Sequence, residues 1–158
     1  MPKQSIVKLR DHPQALEPVT QWIHREWGKF SGRSLRATRE RFAQEFTSQG
    51  LPTSCVAFDG GTAVGVATLR ASDSVDWDTQ ATPWICNVYV CNEARGMGLA
   101  SELCRSLEAA AKELGCSQVY LATSQPHDSL YHRLGYVRYR THEGLGYPMY
   151  LMSRKIER

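Results

Sequence analysis

The stretch from Asn87 to Leu114 constrains the fold of this chain more than any other part of the sequence. It begins with Val88, Tyr89 and Val90, which are β-branched or aromatic residues that favour a strand. A glycine-containing turn follows, and apolar residues then recur at the spacing of one helix face. These apolar residues are Leu99, Leu103, Leu107, Ala110, Ala111 and Leu114. The pattern therefore predicts a strand, a tight turn and a long amphipathic helix.

The turn at the head of this helix has the chemistry of an anion-binding site. Residues Arg95 to Ala100 follow the pattern Arg-x-x-Gly-x-Ala, and Gly96 adds a further glycine. Free N–H groups at a helix N-terminus attract anions, and a pyrophosphate fits such a turn. Arg95 adds a fixed positive charge. The alternative is a plain strand-to-helix turn in which glycine only relieves strain, but the combined features favour phosphate binding.

Length and composition suit one compact domain with a real core, because the chain has 158 residues of which 42% are hydrophobic. The formal net charge of +3 is modest, and no dense Lys/Arg run contains interleaved aromatic residues. No nucleic-acid partner is therefore expected. The most basic piece, Arg33 to Arg41, is predicted to form a solvated helix face.

The cysteine and histidine pattern predicts free thiols and no metal site. The five cysteines form no Cys-x-x-Cys pair, which is typical of a protein from a reducing cytosol. No residues have metal-ligand spacing. The N-terminus lacks an apolar signal segment, and no apolar run is long enough to cross a bilayer. We therefore expect a cytoplasmic protein that does not bind membranes.

The whole chain predicts the element order β-α-α-β-β-β-α-β-α-β-β. Ser34 is a candidate helix N-cap, and Asp59-Gly60-Gly61-Thr62 is a candidate hairpin turn. A strand–helix–strand succession through the 87–123 region implies parallel pairing. The expected strands span 5–9, 54–58, 63–70, 82–90, 118–123, 136–140 and 147–155, and the expected helices span 14–27, 34–48, 99–114 and 126–134.

Two landmarks resemble those of a known enzyme family. The run from Arg95 to Ala100 after a Val-Tyr-Val strand resembles the acetyl-CoA signature of the GNAT (GCN5-related) N-acetyltransferases. The run from Ser129 to Tyr136 resembles their second landmark, usually Phe-Tyr-x-x-x-Gly-Phe/Tyr. The resemblance implies an α/β fold of the GNAT type, with a mixed central sheet of about seven strands and helices on both faces. It covers nearly the whole chain, which we expect to be a single GNAT domain over residues 1–158.

The resemblance also implies the co-substrate and its binding residues. Acetyl-CoA would donate its acetyl group to a primary amine of a small molecule or a peptide N-terminus, by direct attack in a ternary complex. The protein would act as a monomer or homodimer. Two departures from the family are Asn92, where proline is common, and Met97, where Lys or Arg is common. The residues implied to bind the coenzyme are Val88, Tyr89, Val90, Arg95, Gly96, Met97, Gly98, Leu99, Ala100, Ser101 and Ser129.

The catalytic roles implied by the resemblance fall on three residues. Tyr131 occupies the position of the family's frequent general acid, with a core aromatic as the alternative interpretation. The backbone N–H of Val90 would donate to the acetyl oxygen, at a point where the fourth strand splays away from the fifth. Asn87 could hold a water or the amine. The general base stays open between a water relay, an amine that arrives deprotonated, and several side chains: His142, Glu143, Asp76, Asp78, His24 and Glu26.

The acceptor is expected to meet aromatic residues from three loops. Aromatic walls with Asp76 and Asp78 nearby would suit a cationic amine with an apolar body. The alternative is that these aromatics close the core at loop ends. An acetyl-CoA sensor without transfer activity, or a nucleotide-phosphate binder, remain alternatives to the enzyme. The candidate substrate-binding residues are Trp27, Phe30, Trp77, Trp84 and Tyr147.

Overall fold

A seven-stranded mixed sheet forms the centre of the fold. The computed structural model describes residues 4–73, 75–125 and 130–157. The strand order is β1-β2-β3-β4-β5-β7-β6; β4 and β5 pair in parallel, and the other neighbours are antiparallel. The strands are β1 (Gln4–Lys8), β2 (Thr53–Asp59), β3 (Thr62–Arg70), β4 (Trp84–Val90), β5 (Gln118–Thr123), β6 (Val137–His142) and β7 (Met149–Lys155).

The helices cover both faces of this sheet. On one face, Leu103 and Leu107 pack with Leu69 and Val119 of the strands in a continuous apolar cluster. Clusters of this kind bury the apolar stripe of an amphipathic helix. On the other face, the first two helices pack over the sheet through residues such as Trp22. The helices are α1 (Leu16–Ser31), α2 (Leu35–Ala43), α3 (Leu99–Glu113) and α4 (Leu130–Arg133).

The predicted order of strands and helices is confirmed, and the differences lie at element ends. The Ser34 side chain caps α2 by accepting from the Ala37 N–H at 3.0 Å, as predicted. The α-helix then ends at Ala43, before the predicted Ser48, and continues as a 3-10 turn through Phe46. The predicted helix over 126–134 is described only from residue 130, because 126–129 lie outside the described residues. None of the described helices is long and apolar enough to cross a bilayer.

The centre of the sheet opens between β4 and β5. These strands pair at a single described position, Trp84 with Tyr120, and then separate. On the β3 side the register shifts opposite Asn87, which has a φ of 58°. A bulge of this kind bends a strand and is often found beside an active site. The bulge and the early end of pairing leave the second half of β4 without β5 as a hydrogen-bonding neighbour.

Candidate active site

A cavity of about 500 Å³ occupies this opening and extends over the face that carries α1 and α2. The gap between β4 and β5 contributes Asn87, Val88 and Leu121 to its wall. The loops beyond contribute aromatic side chains. The structure thus brings together many of the residues proposed from sequence: Trp27, Phe30, Trp77, Asn87, Val88, Tyr131 and Tyr147.

Tyr131 lies half-buried on the wall of this cavity, at the start of α4. Its ring meets the edge of Tyr136 at 6.3 Å between centroids. Tyr136 is itself held in place, because its hydroxyl donates to Glu108 Oε2 at 2.7 Å and Arg154 pairs with the same carboxylate. Burial raises the pKa of the Tyr131 phenol above its ordinary value, so the hydroxyl keeps its proton at neutral pH.

The backbone of β4 presents N–H groups to the gap. The Cys91 N–H donates to the Val64 carbonyl of β3 at 2.8 Å. Because strand N–H groups alternate from side to side, the N–H groups of Val88 and Val90 point the other way, toward the gap. The Val90 side chain is buried in the core beneath α3, so only its backbone is offered to a ligand. This orientation is the one that an oxyanion donor at Val90 requires.

Tyr89 differs from its two neighbours, and the structure corrects its place among the coenzyme-binding candidates. Its ring lies on the opposite face, 5.4 Å from the Trp22 ring, and its hydroxyl accepts from Arg25 at 2.8 Å. By the same alternation its backbone groups face β3 rather than the gap. Tyr89 therefore ties α1 to β4 and does not border the gap.

The turn before α3 leaves several N–H groups without acceptors from the helix. Gly96 and Gly98 have φ angles of 83° and 79°, values that disfavour any residue with a Cβ. The first intrahelical hydrogen bond runs from Glu102 N–H to the Gly98 carbonyl. The three preceding N–H groups, those of Leu99, Ala100 and Ser101, have no intrahelical acceptor and lie at the positive end of the helix dipole. The turn therefore fits a diphosphate.

Arg95 and Met97 take up positions that the sequence motif does not show. The Arg95 Nε donates to the Val90 carbonyl at 2.8 Å, and the guanidinium lies 5.7 Å from the centre of the Tyr89 ring. Arg95 therefore joins the end of β4 to the turn while remaining exposed. The Met97 sulfur accepts from the Gln4 side chain at 3.4 Å. The candidate Ser129 lies outside the described residues.

Trp84 does not face the cavity, which corrects its prediction as part of the acceptor wall. Its side chain is 2% exposed and packs against Tyr120 at 5.6 Å between ring centroids. The indole N–H donates to the Ala81 carbonyl at 2.8 Å. For this residue the alternative interpretation, an aromatic that closes the core, is the one the structure supports. Trp77 is also buried, yet its ring reaches the cavity wall and its N–H donates to Asp73 at 3.0 Å.

Charged residues that sequence reasoning did not select line the cavity. Arg33, Arg41, Arg70 and Asp73 all contribute to its wall. The expectation that residues 33–41 form a solvated face holds for the arginines that point outward and is wrong for Arg33 and Arg41. The sequence shows only that Arg33 precedes α2 and that Arg41 lies near its end, and neither position indicates which side faces a cavity.

Asp76 and Asp78, which the sequence placed near the acceptor, do not line the main cavity. Asp76 and Asp78 line a smaller neighbouring cavity of about 160 Å³. Asp78 accepts from the Tyr139 hydroxyl at 3.0 Å and lies 3.7 Å from Arg140. Among the described residues that line the main cavity, none of the six candidate bases appears, and Asp73 is the one carboxylate. The described residues also contain no group of three or more His, Cys, Asp or Glu placed to hold a metal ion.

Comparison with known proteins identifies the family. The model of the Acetyltransferase (GNAT) family matches residues 16–136, which is more than half of the chain. The chain therefore belongs to the GNAT family, and its activity is acetyl-CoA-dependent acetyl transfer. No curated protein matches the chain with significance.

Solved structures share this fold at low sequence identity. An aminoglycoside 6'-N-acetyltransferase complexed with coenzyme A superposes with a TM-score of 0.75 at 14% identity, covering 98% of each chain. NAA60 of Arabidopsis thaliana in complex with acetyl-CoA gives 0.73 at 21% identity, covering 98% of this chain and 99% of its own. Ard1 of Thermoplasma volcanium gives 0.72 at 16% identity, with the same coverage. These likenesses support the fold from end to end.

Proposed function

We propose that this acetyltransferase moves an acetyl group from acetyl-CoA directly to a primary amine, of a small molecule or a peptide N-terminus, while both substrates are bound. The observation that carries the proposal is the continuity of one cavity. The same cavity borders the gap in the sheet, Tyr131 and the aromatic loops. A thioester in the gap and an amine from the loop side would therefore meet without a covalent enzyme intermediate. Holding the two reactants together supplies most of the acceleration in such a reaction.

The coenzyme would be held by backbone groups along α3 and β4. The N–H groups of Leu99, Ala100 and Ser101 would bind the diphosphate, with Gly96 and Gly98 allowing its approach. The N–H groups of Val88 and Val90 would pair with the rest of the coenzyme as an added strand would. The family assignment and the free N–H groups support these roles, with solved relatives carrying acetyl-CoA or coenzyme A in complexes of the same fold.

The chemical step then follows from groups around the gap. The amine lone pair forms the new C–N bond at the thioester carbonyl carbon, and the C–S bond breaks. The Val90 N–H stabilises the negative charge that develops on the carbonyl oxygen. The Tyr131 hydroxyl donates its proton to the departing sulfur, and Asn87 holds the amine or a water beside it. Water accepts the proton that the amine loses, and the Tyr131 oxygen regains a proton from solvent, so that the enzyme returns to its starting state.

A panel of amines with acetyl-CoA tests this proposal. We expect thiol release only when an acceptor amine is present, and initial-rate lines that intersect when both substrates are varied. Parallel lines would indicate an acetylated enzyme instead. Tight acetyl-CoA binding with no thiol release for any amine would favour the sensor alternative. Stronger thermal stabilisation by ATP than by coenzyme A would favour the nucleotide-phosphate alternative.

Substituting Gly98 with alanine is expected to weaken acetyl-CoA binding by about 5-fold or more. A Cβ at a φ of 79° costs about 1–2 kcal/mol, and relief of that strain would move the N–H groups away from the diphosphate. Gly60→Ala is a matched control, because Gly60 has a φ of 63° but lies in the β2–β3 hairpin. Calorimetric titration should find normal affinity in the control, and equal losses in both variants would contradict the assigned site.

A further inference from the structure

Among the described residues that line the acceptor side of the cavity, positive side chains outnumber negative ones. Three guanidinium groups, those of Arg33, Arg41 and Arg70, contribute to its wall. Asp73 is the one carboxylate among the described lining residues, and it already accepts from the Trp77 indole. An acceptor with several positive charges would be repelled from this wall.

The environment of Arg41 shows repulsion between the guanidinium groups of this wall. Burial first, and then repulsion from Arg70 and Arg33, lower the pKa of the Arg41 guanidinium to about 10, while attraction to Asp73 opposes them weakly. Arg41 still carries its charge at neutral pH. Within the described residues, neither the Arg41 nor the Arg70 guanidinium forms a hydrogen bond or ion pair. Placing the Arg41 and Arg70 charges close together in a half-buried place costs stability, which a bound anion would recover.

The outward arginines of the same helix provide the contrast. Arg36 pairs with Glu40 at 3.2 Å. Arg39 pairs with Glu17 of α1 at 2.6 Å. Arginines of α2 that face solvent therefore have carboxylate partners, whereas Arg41, which faces the cavity, has none among the described residues. Within the described part of the chain, this difference favours a ligand in the cavity as the partner of Arg41.

We propose that the acceptor is a small primary amine that also carries an oxyanion group, a carboxylate or a phosphate-type group, bound by Arg41 and Arg70. The proposal rests on the proposed function. The planar guanidinium fork suits both kinds of oxyanion. The aromatic side chains on the same wall, Trp27, Phe30 and Tyr147, would contact an apolar body between the anion and the amine. The amine then reaches Asn87 and Tyr131, on the gap side of the same cavity.

Matched acceptors that differ only in the oxyanion test this inference. One series is 4-(aminomethyl)benzoate, its benzamide and its phenylphosphonate analogue; the other is phenylalanine, its amide and its phosphonate analogue. In at least one series we expect kcat/KM for an anionic member to exceed that of the amide by about 10-fold or more. The carboxylate and phosphonate arms show which oxyanion is preferred.

Arginine variants assign the effect to the cavity wall. Arg41→Gln and Arg70→Gln should each reduce the ratio of anionic to amide kcat/KM to within about 3-fold, while Arg36→Gln should leave the ratio as in the wild type. Competitive inhibition by benzoate but not benzamide, lost in Arg41→Gln, provides a second readout that needs no turnover of the anionic substrate. If the Arg41 variant does not fold, the Arg70 variant and benzoate inhibition of the wild type still decide the question.

Different outcomes would contradict acetyl transfer itself and the recognition of an oxyanion on the acceptor. If no amine in either series, or in the wider panel, releases thiol, the proposed function fails. If amines are acetylated but the amides, or a polycationic aminoglycoside, are used as well as or better than the anionic members, this inference is overturned and the proposed function stands. An anionic preference that survives both Arg41→Gln and Arg70→Gln also overturns it.

Discussion

Replacing Tyr131 with phenylalanine is expected to lower kcat of acetyl transfer by about 10²–10³-fold, with acetyl-CoA affinity nearly unchanged. The phenol lies at the cavity wall beside the gap, and burial keeps it protonated. Without the hydroxyl, the sulfur would have to leave as a bare thiolate or take a proton from water. The ring of phenylalanine preserves the packing against Tyr136. Steady-state kinetics with the best amine of the panel, together with calorimetric titration of acetyl-CoA, measure the two quantities separately.

Tyr136→Phe is the matched control for this experiment. It also removes one buried phenolic hydroxyl, but that hydroxyl donates to Glu108 rather than facing the cavity. We expect Tyr136→Phe to lower the free energy of unfolding, because Glu108 loses a donor, and to change kcat much less than Tyr131→Phe does. Similar losses of kcat in both variants would indicate a packing role for Tyr131 and would remove it as the acid.

The raised pKa of Tyr131 has a consequence for the pH profile. An acid acts in its protonated form, which is present below its pKa. Because burial moves that pKa above the ordinary tyrosine value near 10, ionisation of Tyr131 should not lower kcat as the pH rises from 7 to 10. A loss of kcat within that range in the wild type, absent from the Tyr131→Phe variant, would show that the phenol ionises there and contradict its assigned environment.

Local patterns in the sequence were sufficient to predict α3 and the glycine-containing turn before it. The α3 helix follows from apolar residues at helical spacing, and its start follows from Gly98, which the structure places at positive φ. These features need no knowledge of distant residues, because each is set by neighbours along the chain. The Ser34 cap belongs to the same category. The assignment of these N–H groups to a coenzyme stays a prediction.

The acceptor side depends on long-range packing, and there the sequence was a weaker guide. Trp27 lies in the last part of α1 and Trp84 begins β4; they are the same residue type, yet Trp27 is 37% exposed and Trp84 is 2% exposed. Trp84 is enclosed by residues distant in sequence, which include Tyr120 of β5 and Leu151 of β7. Asn87 resembles any polar strand residue in the sequence, whereas its positive φ appears only in the bulged strand. Arg41 is similarly ambiguous, because a charged residue on a helix is usually solvated.

Replacing Glu45 with alanine is expected to lower the free energy of unfolding by about 3 kcal/mol. Glu45 follows α2 in a 3-10 turn and is 1% exposed. Its carboxyl group accepts from the Ser54 N–H at 2.6 Å and from the Ser54 hydroxyl at 2.8 Å. Alanine would leave that buried backbone N–H of β2 without its acceptor and would also leave a cavity. Urea unfolding followed by circular dichroism measures the change. Glu40→Ala, on the exposed side of α2, is the control, and its free energy of unfolding should stay within about 0.5 kcal/mol of the wild type.

A glutamine at position 45 separates the hydrogen bonds from the charge. Glu45→Gln keeps one acceptor oxygen for Ser54 and should lose less stability than alanine at neutral pH. Burial raises the pKa of the Glu45 carboxyl above its ordinary value, although the Ser54 bonds and then Arg10 oppose this. The folded protein therefore binds the proton more tightly than the unfolded chain does, and stability falls as the pH rises from the ordinary carboxyl pKa through the folded one. The free energy of unfolding of the wild type should accordingly exceed that of Glu45→Gln by more at pH 4 than at pH 7. A difference that grows as the pH rises would show that hydrogen bonding to the carboxylate outweighs the cost of burying its charge.

The Glu45 network also connects stability to the acceptor cavity. The Ser54 hydroxyl lies 2.8 Å from the Thr68 hydroxyl, and Thr68 stands opposite Cys86, which lines the cavity. Glu45 follows α2, the helix that carries Arg41. Loss of the Glu45 hydrogen bonds should therefore make both the end of α2 and the neighbouring strand residues Ser54 and Thr68 more mobile. Glu45→Ala should therefore raise KM for the acceptor more than KM for acetyl-CoA, whose proposed site lies on α3 and β4. A variant that lost stability but kept the wild-type ratio of the two KM values would show that the position of α2 does not limit acceptor binding.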